Sequence, residues 1–104
     1  MIRVAALYPN KPGSRFDMDY YLTRHVPWAR AELEKAGMTA MEIDRGIAGM
    51  APGAAAPFHV IALMTFRTLE DFQRALGEVA PKLMADMSNY TDVQLQVQVS
   101  ERAE

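Results

Sequence analysis

His25 is the residue of this chain best suited to move a proton near neutral pH, because an unperturbed imidazole changes charge there. It is one of two histidines among 104 residues, and there is no cysteine to act as nucleophile, disulfide partner or thiolate ligand. It lies in Tyr20-Tyr21-Leu22-Thr23-Arg24-His25-Val26-Pro27-Trp28, an aromatic and apolar run interrupted by a proline. As a general acid or base, His25 needs a neighbour to set its tautomer and a substrate within about 3 Å. The competing role is structural, with the imidazole bonded to a carbonyl that Pro27, lacking an amide hydrogen, leaves free.

Tyr8, Tyr20 and Tyr21 are further candidates. A phenol can donate to a carbonyl or phenolate oxygen, and with Trp28 these rings would suit a flat organic ligand; they would equally suit a packed core. His59 opens a strand on the face that carries Ile61, Leu63 and Thr65. If that face borders an internal space, His59 and Ile61 line its mouth; otherwise His59 is a half-solvated strand-end histidine. Gln94, Gln96 and Gln98 share a strand face. They offer either a polar, uncharged lining for an oxygen-rich ligand, or a dimer contact or solvated edge. Arg3 and Arg45 suit an anionic ligand or a sheet end. Asp17 and Asp19 read as a helix cap and a first-turn residue, and Asp86 and Asp92 have no supporting constellation. The histidines lack metal-ligand spacing, and there is neither a dinucleotide fingerprint nor a P-loop. The expectation is therefore no metal and no cofactor. The eight methionines fit an adaptable core or a hydrophobic pocket.

The elements that must position these residues follow from periodicity. Ile2 to Tyr8 alternates with Ile2, Val4, Ala6 and Tyr8 on one face, and both faces are largely apolar, as in an interior strand. The first helix is expected from an Asp17 cap to Ala36, with Phe16 stapled to Tyr21 and Gly37 as C-cap. Proline steers the residue before it out of the helical region, so Val26 is the expected point of distortion. Met38 to Ala48 and Phe58 to Arg67 read as strands, the latter apolar on both sides. Thr68 should cap the second helix, which runs through Phe72 and Val79 and restarts at Pro81. Val93 to Val99 reads as a half-buried strand.

The order β-α-β-β-α-β predicts an α+β ferredoxin-like fold, with helices on one face of a four-stranded antiparallel sheet. It forms a single domain over residues 1–104, with its core at 2–99 and a tail at 100–104. The bare, apolar sheet face calls for a partner subunit or a ligand cavity, and two such sheets face to face would close a two-subunit barrel. Half of the residues are apolar and the net charge is -2. The basic residues form no run, which argues against nucleic acid. No stretch approaches the roughly twenty apolar residues of a membrane span. With no signal-peptide plan at the N-terminus, the cytoplasm is the expected location.

Several segments together resemble the EthD family of dimeric α/β-barrel proteins, named after ethyl tert-butyl ether degradation. They are Leu7-Tyr8-Pro9-Asn10, Phe16-Asp17-Met18-Asp19-Tyr20-Tyr21, Arg24-His25-Val26-Pro27, Ala56-Pro57-Phe58, Phe66, Phe72 and Asp86-Met87-Ser88-Asn89-Tyr90-Thr91. The resemblance spans roughly residues 1 to 101. It implies a homodimer through the sheet faces and a pocket between sheet and helices for a hydrophobic or aromatic small molecule. His25 matches the family histidine, while Tyr8 and Tyr21 match aromatic positions near that pocket. Relatives of this barrel include cofactor-free monooxygenases, polyketide cyclases and muconolactone isomerases. Three functions stand as expectations. One is a cofactor-independent enzyme of aromatic or hydrophobic-compound catabolism with His25 as acid/base. The second is a non-catalytic binding or accessory protein for an oxygenase pathway. The third is a haem-binding barrel with His25 as axial ligand. The family label of reductase has no nicotinamide or flavin motif behind it.

Overall fold

A computed structural model describes all 104 residues, Met1–Glu104. The strands are β1 (Ile2–Pro9), β2 (Met38–Arg45), β3 (Phe58–Phe66) and β4 (Gln96–Glu101). They form one antiparallel sheet in the order β2-β3-β1-β4. The central pair is β1 and β3, the two strands whose sequences are apolar on both faces. The first helical region comprises α1 (Met18–Tyr20), a π-helical turn (Tyr21–His25) and α2 (Val26–Lys35). The second comprises α3 (Leu69–Glu78), α4 (Ala80–Asp86) and a short 3-10 turn (Met87–Asn89). The βαββαβ order and α+β ferredoxin-like sheet agree with the sequence pattern.

Local chemistry explains the helix ends. Asp17 accepts the Tyr20 amide at 3.0 Å, and Thr68 accepts the Asp71 amide at 3.1 Å, each satisfying a donor that the first turn leaves free. Gly37 closes α2 at φ +113°, a left-handed backbone that residues with a Cβ avoid. The second helical region breaks at Val79, and Pro81 sits in the first turn of α4, where its missing amide costs nothing.

The strain around Pro27 is resolved differently from the sequence expectation. Val26 stays helical (φ -61°, ψ -48°) and its amide bonds to the Tyr21 carbonyl, five residues back. The chain thus widens into a π turn ahead of the proline, over Tyr21–His25, and Val26 is not distorted. Such a bulge changes the facing of the side chains within it. Here both Tyr21 and His25 end up buried.

Strand ends also differ. β2 stops at Arg45, leaving Ile47 almost fully exposed. β4 begins only at Gln96 and runs to Glu101; Val93 and Leu95 approach the core from an irregular segment. The predicted tail thus contributes its first two residues to the sheet.

The hydrophobic core divides into two clusters on the helix-covered face. One gathers around Val4, Leu33, Phe66 and Phe72, and the other around Tyr8, Tyr21, Val60 and Tyr90. The opposite face of the sheet carries Ala5, Leu7, Ile61 and Leu63 on the central strands. Glu42 and Asp44 flank them on β2, and Gln96 and Gln98 on β4. Leu63 is 41% exposed there.

Candidate active site

Between the two clusters lies a cavity of about 130 Å³, and 21 of its 22 lining residues are hydrophobic. Alanines create the space. Ala6 and Ala62 face each other across β1 and β3, and Ala29 of α2 and Ala75 of α3 also line it. Larger aliphatic side chains at these buried positions would fill the void to ordinary core density. Tyr8, Tyr21, Tyr90 and His25, all buried, close one end. Leu76, Met84 and Val97 line the cavity while remaining 45%, 53% and 52% exposed. The opening therefore lies between α3, α4 and β4.

His25 is the polar exception in this lining. The π turn brings its ring parallel to Tyr21, with centroids 5.5 Å apart and an interplanar angle of 16°. Its Nδ1 is 2.9 Å from Asp86 Oδ2, and its Nε2 is 3.4 Å from the Tyr90 hydroxyl. The Tyr90 hydroxyl lies 2.9 Å from that of Tyr8. The other carboxylate oxygen of Asp86 accepts from Tyr20 Oη and from Asn89 Nδ2, each at 2.8 Å.

The charge states follow from these contacts. Partial burial acts to raise the Asp86 pKa, but bonds from Asn89, His25 and Tyr20 outweigh it and hold the carboxyl below its ordinary range. Asp86 is thus an acceptor at neutral pH, and His25 must present Nδ1–H to it. Burial pushes the His25 pKa down, and the bond and charge of Asp86 only partly offset this. The pair is a neutral imidazole donating to a carboxylate, despite a geometry that would also suit an ion pair. Nε2 then carries the free lone pair and accepts from Tyr90, which in turn accepts from Tyr8. Desolvation raises the pKa values of Tyr8, Tyr21 and Tyr90, so all three stay protonated phenols. The bond to Asp86 raises that of Tyr20 as well.

The residues singled out in the sequence are divided by the fold. Tyr8, Tyr21 and His25 meet at the cavity. Trp28 meets His25 edge-on at 6.0 Å but is not part of the lining. His59 lies elsewhere: its Nε2 is 2.8 Å from Ser14 Oγ, and its ring stacks on Phe16. Phe16 in turn packs against Tyr21, so two rings separate the histidines. Ile61 and Gln96 belong to the opposite face of the sheet, because both pair with Leu7. Trp28 and His59 are thus not part of this cavity, and Ile61 and Gln96 point to the bare sheet face, the side expected to border a space between two sheets.

Asp86 corrects the sequence reading in the other direction, since it has a full constellation of three donors. Its signal lay in its position. A carboxylate in the last turn of a helix opposes the helix dipole, and such a placement calls for a compensating partner. Tyr90 is the second residue missed as a site member; it was visible only within a motif.

No group of histidine and acidic side chains converges as a metal site. A haem does not fit this cavity, because about 130 Å³ holds one small ring.

The EthD domain family model matches residues 14–94. The chain belongs to the EthD family. An EthD-like protein from Ralstonia eutropha JMP134 is 33% identical, with a TM-score of 0.89 over 96% of this chain and 89% of its own. An ethyl tert-butyl ether degradation family protein from Bacillus halodurans C-125 is 21% identical, with a TM-score of 0.74 over 98% of each chain. The fold alone is shared with a cofactor-independent oxygenase from Streptomyces nogalater, which is 8% identical with a TM-score of 0.66 over 99% of this chain and 92% of its own. No curated protein matches the sequence. No helix of this EthD protein is long and apolar enough to cross a membrane.

Proposed function

We propose that this EthD protein is a cofactor-independent acid/base catalyst acting on a hydrophobic small molecule held in the alanine-lined cavity. The observation that carries this reading is a neutral imidazole in the cavity lining, with Nε2 left as acceptor beside the Tyr90 hydroxyl while an ionised carboxylate anchors Nδ1. In the reaction, an O–H bond of the ligand, or a C–H bond next to its carbonyl, breaks. The proton passes to Nε2 and the electron pair stays on the ligand as phenolate or enolate. Asp86 stabilises the imidazolium that forms, and the Tyr90 phenol, itself accepting from Tyr8, donates to the new oxyanion. Return of the proton to another carbon completes an isomerisation. In a cyclisation the carbanion adds to a second carbonyl of the ligand, and the proton goes to the alkoxide formed. In an oxygenation the same anion reacts with dioxygen as the oxidant, as suits the fold shared with the Streptomyces nogalater oxygenase.

The protein works as a homodimer in this reading. The apolar centre of the bare sheet face, at Ala5, Leu7, Ile61 and Leu63, is what a second copy would cover. A dimer mass in light scattering fits this, and a monomer at micromolar concentration contradicts it.

Exchange of the α-hydrogens of cyclohexanone in heavy water tests the chemistry with a neutral, enol-forming ring. Catalysed exchange that falls by about 10²–10⁴ in His25→Gln supports a positioned base. Exchange unaffected by that substitution overturns the role of His25. Binding without any exchange leaves a ligand-carrying accessory protein of a catabolic pathway as the function.

A further inference from the structure

We infer that the ligand of this cavity is a neutral, single-ring phenol or ring enol whose apolar substituent leaves through the gap between Leu76, Met84 and Val97. The inference rests on the cavity being the functional site and adds the class of molecule that it takes.

Size sets the first limit. A dry apolar cavity of about 150 Å³ accepts a benzene ring, and the space here, about 130 Å³, is slightly smaller. One six-membered ring fills it. A fused second ring would have to occupy the opening.

Charge sets the second limit. The lining holds no lysine or arginine, and its one ionisable group outside the phenols is an imidazole kept neutral by burial. Behind that imidazole stands the Asp86 carboxylate, a full negative charge. A carboxylate ligand would lose its hydration, find no cation and face a like charge, which disfavours it strongly.

Hydrogen bonding sets the third. Nε2 accepts only the long 3.4 Å contact from Tyr90, so it is poorly satisfied and favours a ligand that brings a hydroxyl hydrogen. The Tyr90 hydroxyl can then turn its hydrogen to the ligand oxygen. A bare hydrocarbon fills the space but supplies neither partner.

The mouth sets the last. Its three half-exposed side chains are all apolar, so a substituent that passes them gains by being alkyl rather than charged.

Calorimetric titration of the full chain with phenol, para-ethylphenol, toluene and benzoate at neutral pH tests this. Phenol should bind more tightly than toluene, and benzoate at least about 100-fold more weakly than phenol. Para-ethylphenol should bind more tightly than phenol, by about fourfold per methylene that reaches the rim. Benzoate binding as well as phenol overturns the inference, as does a wild-type protein that binds none of the phenols at millimolar concentration. Ala29→Leu fills the cavity one turn after His25 and should abolish phenol binding. Unchanged affinity in a folded Ala29→Leu protein places phenol elsewhere and also overturns the inference. If that variant does not fold, the wild-type selectivity series decides alone. Selective phenol binding without His25-dependent cyclohexanone exchange refutes the acid/base reading and leaves the ligand class standing.

Discussion

The two halves of the core use the same sheet for different ends. Around Phe66 the side chains are aliphatic or phenyl, and that cluster contains no polar residue. Around Tyr8 and Tyr90 the same layer is built from phenols and an imidazole, tied through Asp86 to the protein surface. Burying polar groups is costly unless each finds a partner, and no buried side-chain nitrogen or oxygen lacks one. The aliphatic half holds the fold and the phenolic half holds a polarised network. Alanines keep the two apart, so the network faces a space instead of packed side chains.

Substitutions in each half should therefore separate stability from chemistry. Met38→Ala in the aliphatic half, outside the cavity lining, should destabilise the protein by about 2–5 kcal/mol in denaturant titration, and cyclohexanone exchange by the fraction still folded should change little. Asp86→Asn in the phenolic half should do the reverse. Loss of the carboxylate that fixes the Nδ1–H tautomer should lower exchange by about 10²-fold, or about 2.7 kcal/mol at the transition state. Removing the carboxylate also removes what lifts the His25 pKa, so the acid limb of the rate profile should move to lower pH. An Asp86→Asn variant with full activity, or a Met38→Ala variant with a specific rate defect, would erase the division between the halves.

The pH dependence of stability probes the phenolic half again. The His25 pKa is lowered in the folded state from an ordinary 6.5, so its contribution is complete above 6.5. As pH falls from 6.5 towards the folded value, the unfolded chain binds a proton that the native protein does not, and stability declines. The Asp86 pKa is also lowered, from 3.8, so a second decline follows as pH drops below 3.8. Thermal unfolding across this range should show both steps, and His25→Gln should remove the first. The smallest effect belongs to neither half. Thr68→Ala removes the cap of α3 and should cost about 1 kcal/mol, with no change in the rate profile.

The order of elements along the chain, the caps at Asp17 and Thr68, and the aromatic helix bearing His25 were legible because each depends on neighbours close in sequence. Two-sided apolar strands marked the centre of the sheet, and hydroxyl or carboxylate residues marked the helix starts. What escaped was long-range. Asp86 meets His25 across 61 residues and Tyr90 meets Tyr8 across 82, and no periodicity encodes such meetings. The π turn escaped because the rule that proline disturbs its predecessor does not say how the preceding turn absorbs the disturbance. His59 stands outside this cavity because Ser14 and Phe16 hold its ring, contacts that a strand pattern does not show.

The central claim is that His25 is a neutral imidazole at neutral pH, with its hydrogen on Nδ1 and its lone pair on Nε2. Nitrogen NMR of isotopically labelled histidine tests it directly. The chain has only two histidines, and His59→Gln assigns the spectrum. The account predicts a protonated Nδ1 and an unprotonated Nε2 for His25, with the Nε2 signal shifting on addition of phenol. A His25 protonated on Nε2, or an imidazolium at neutral pH, would contradict it.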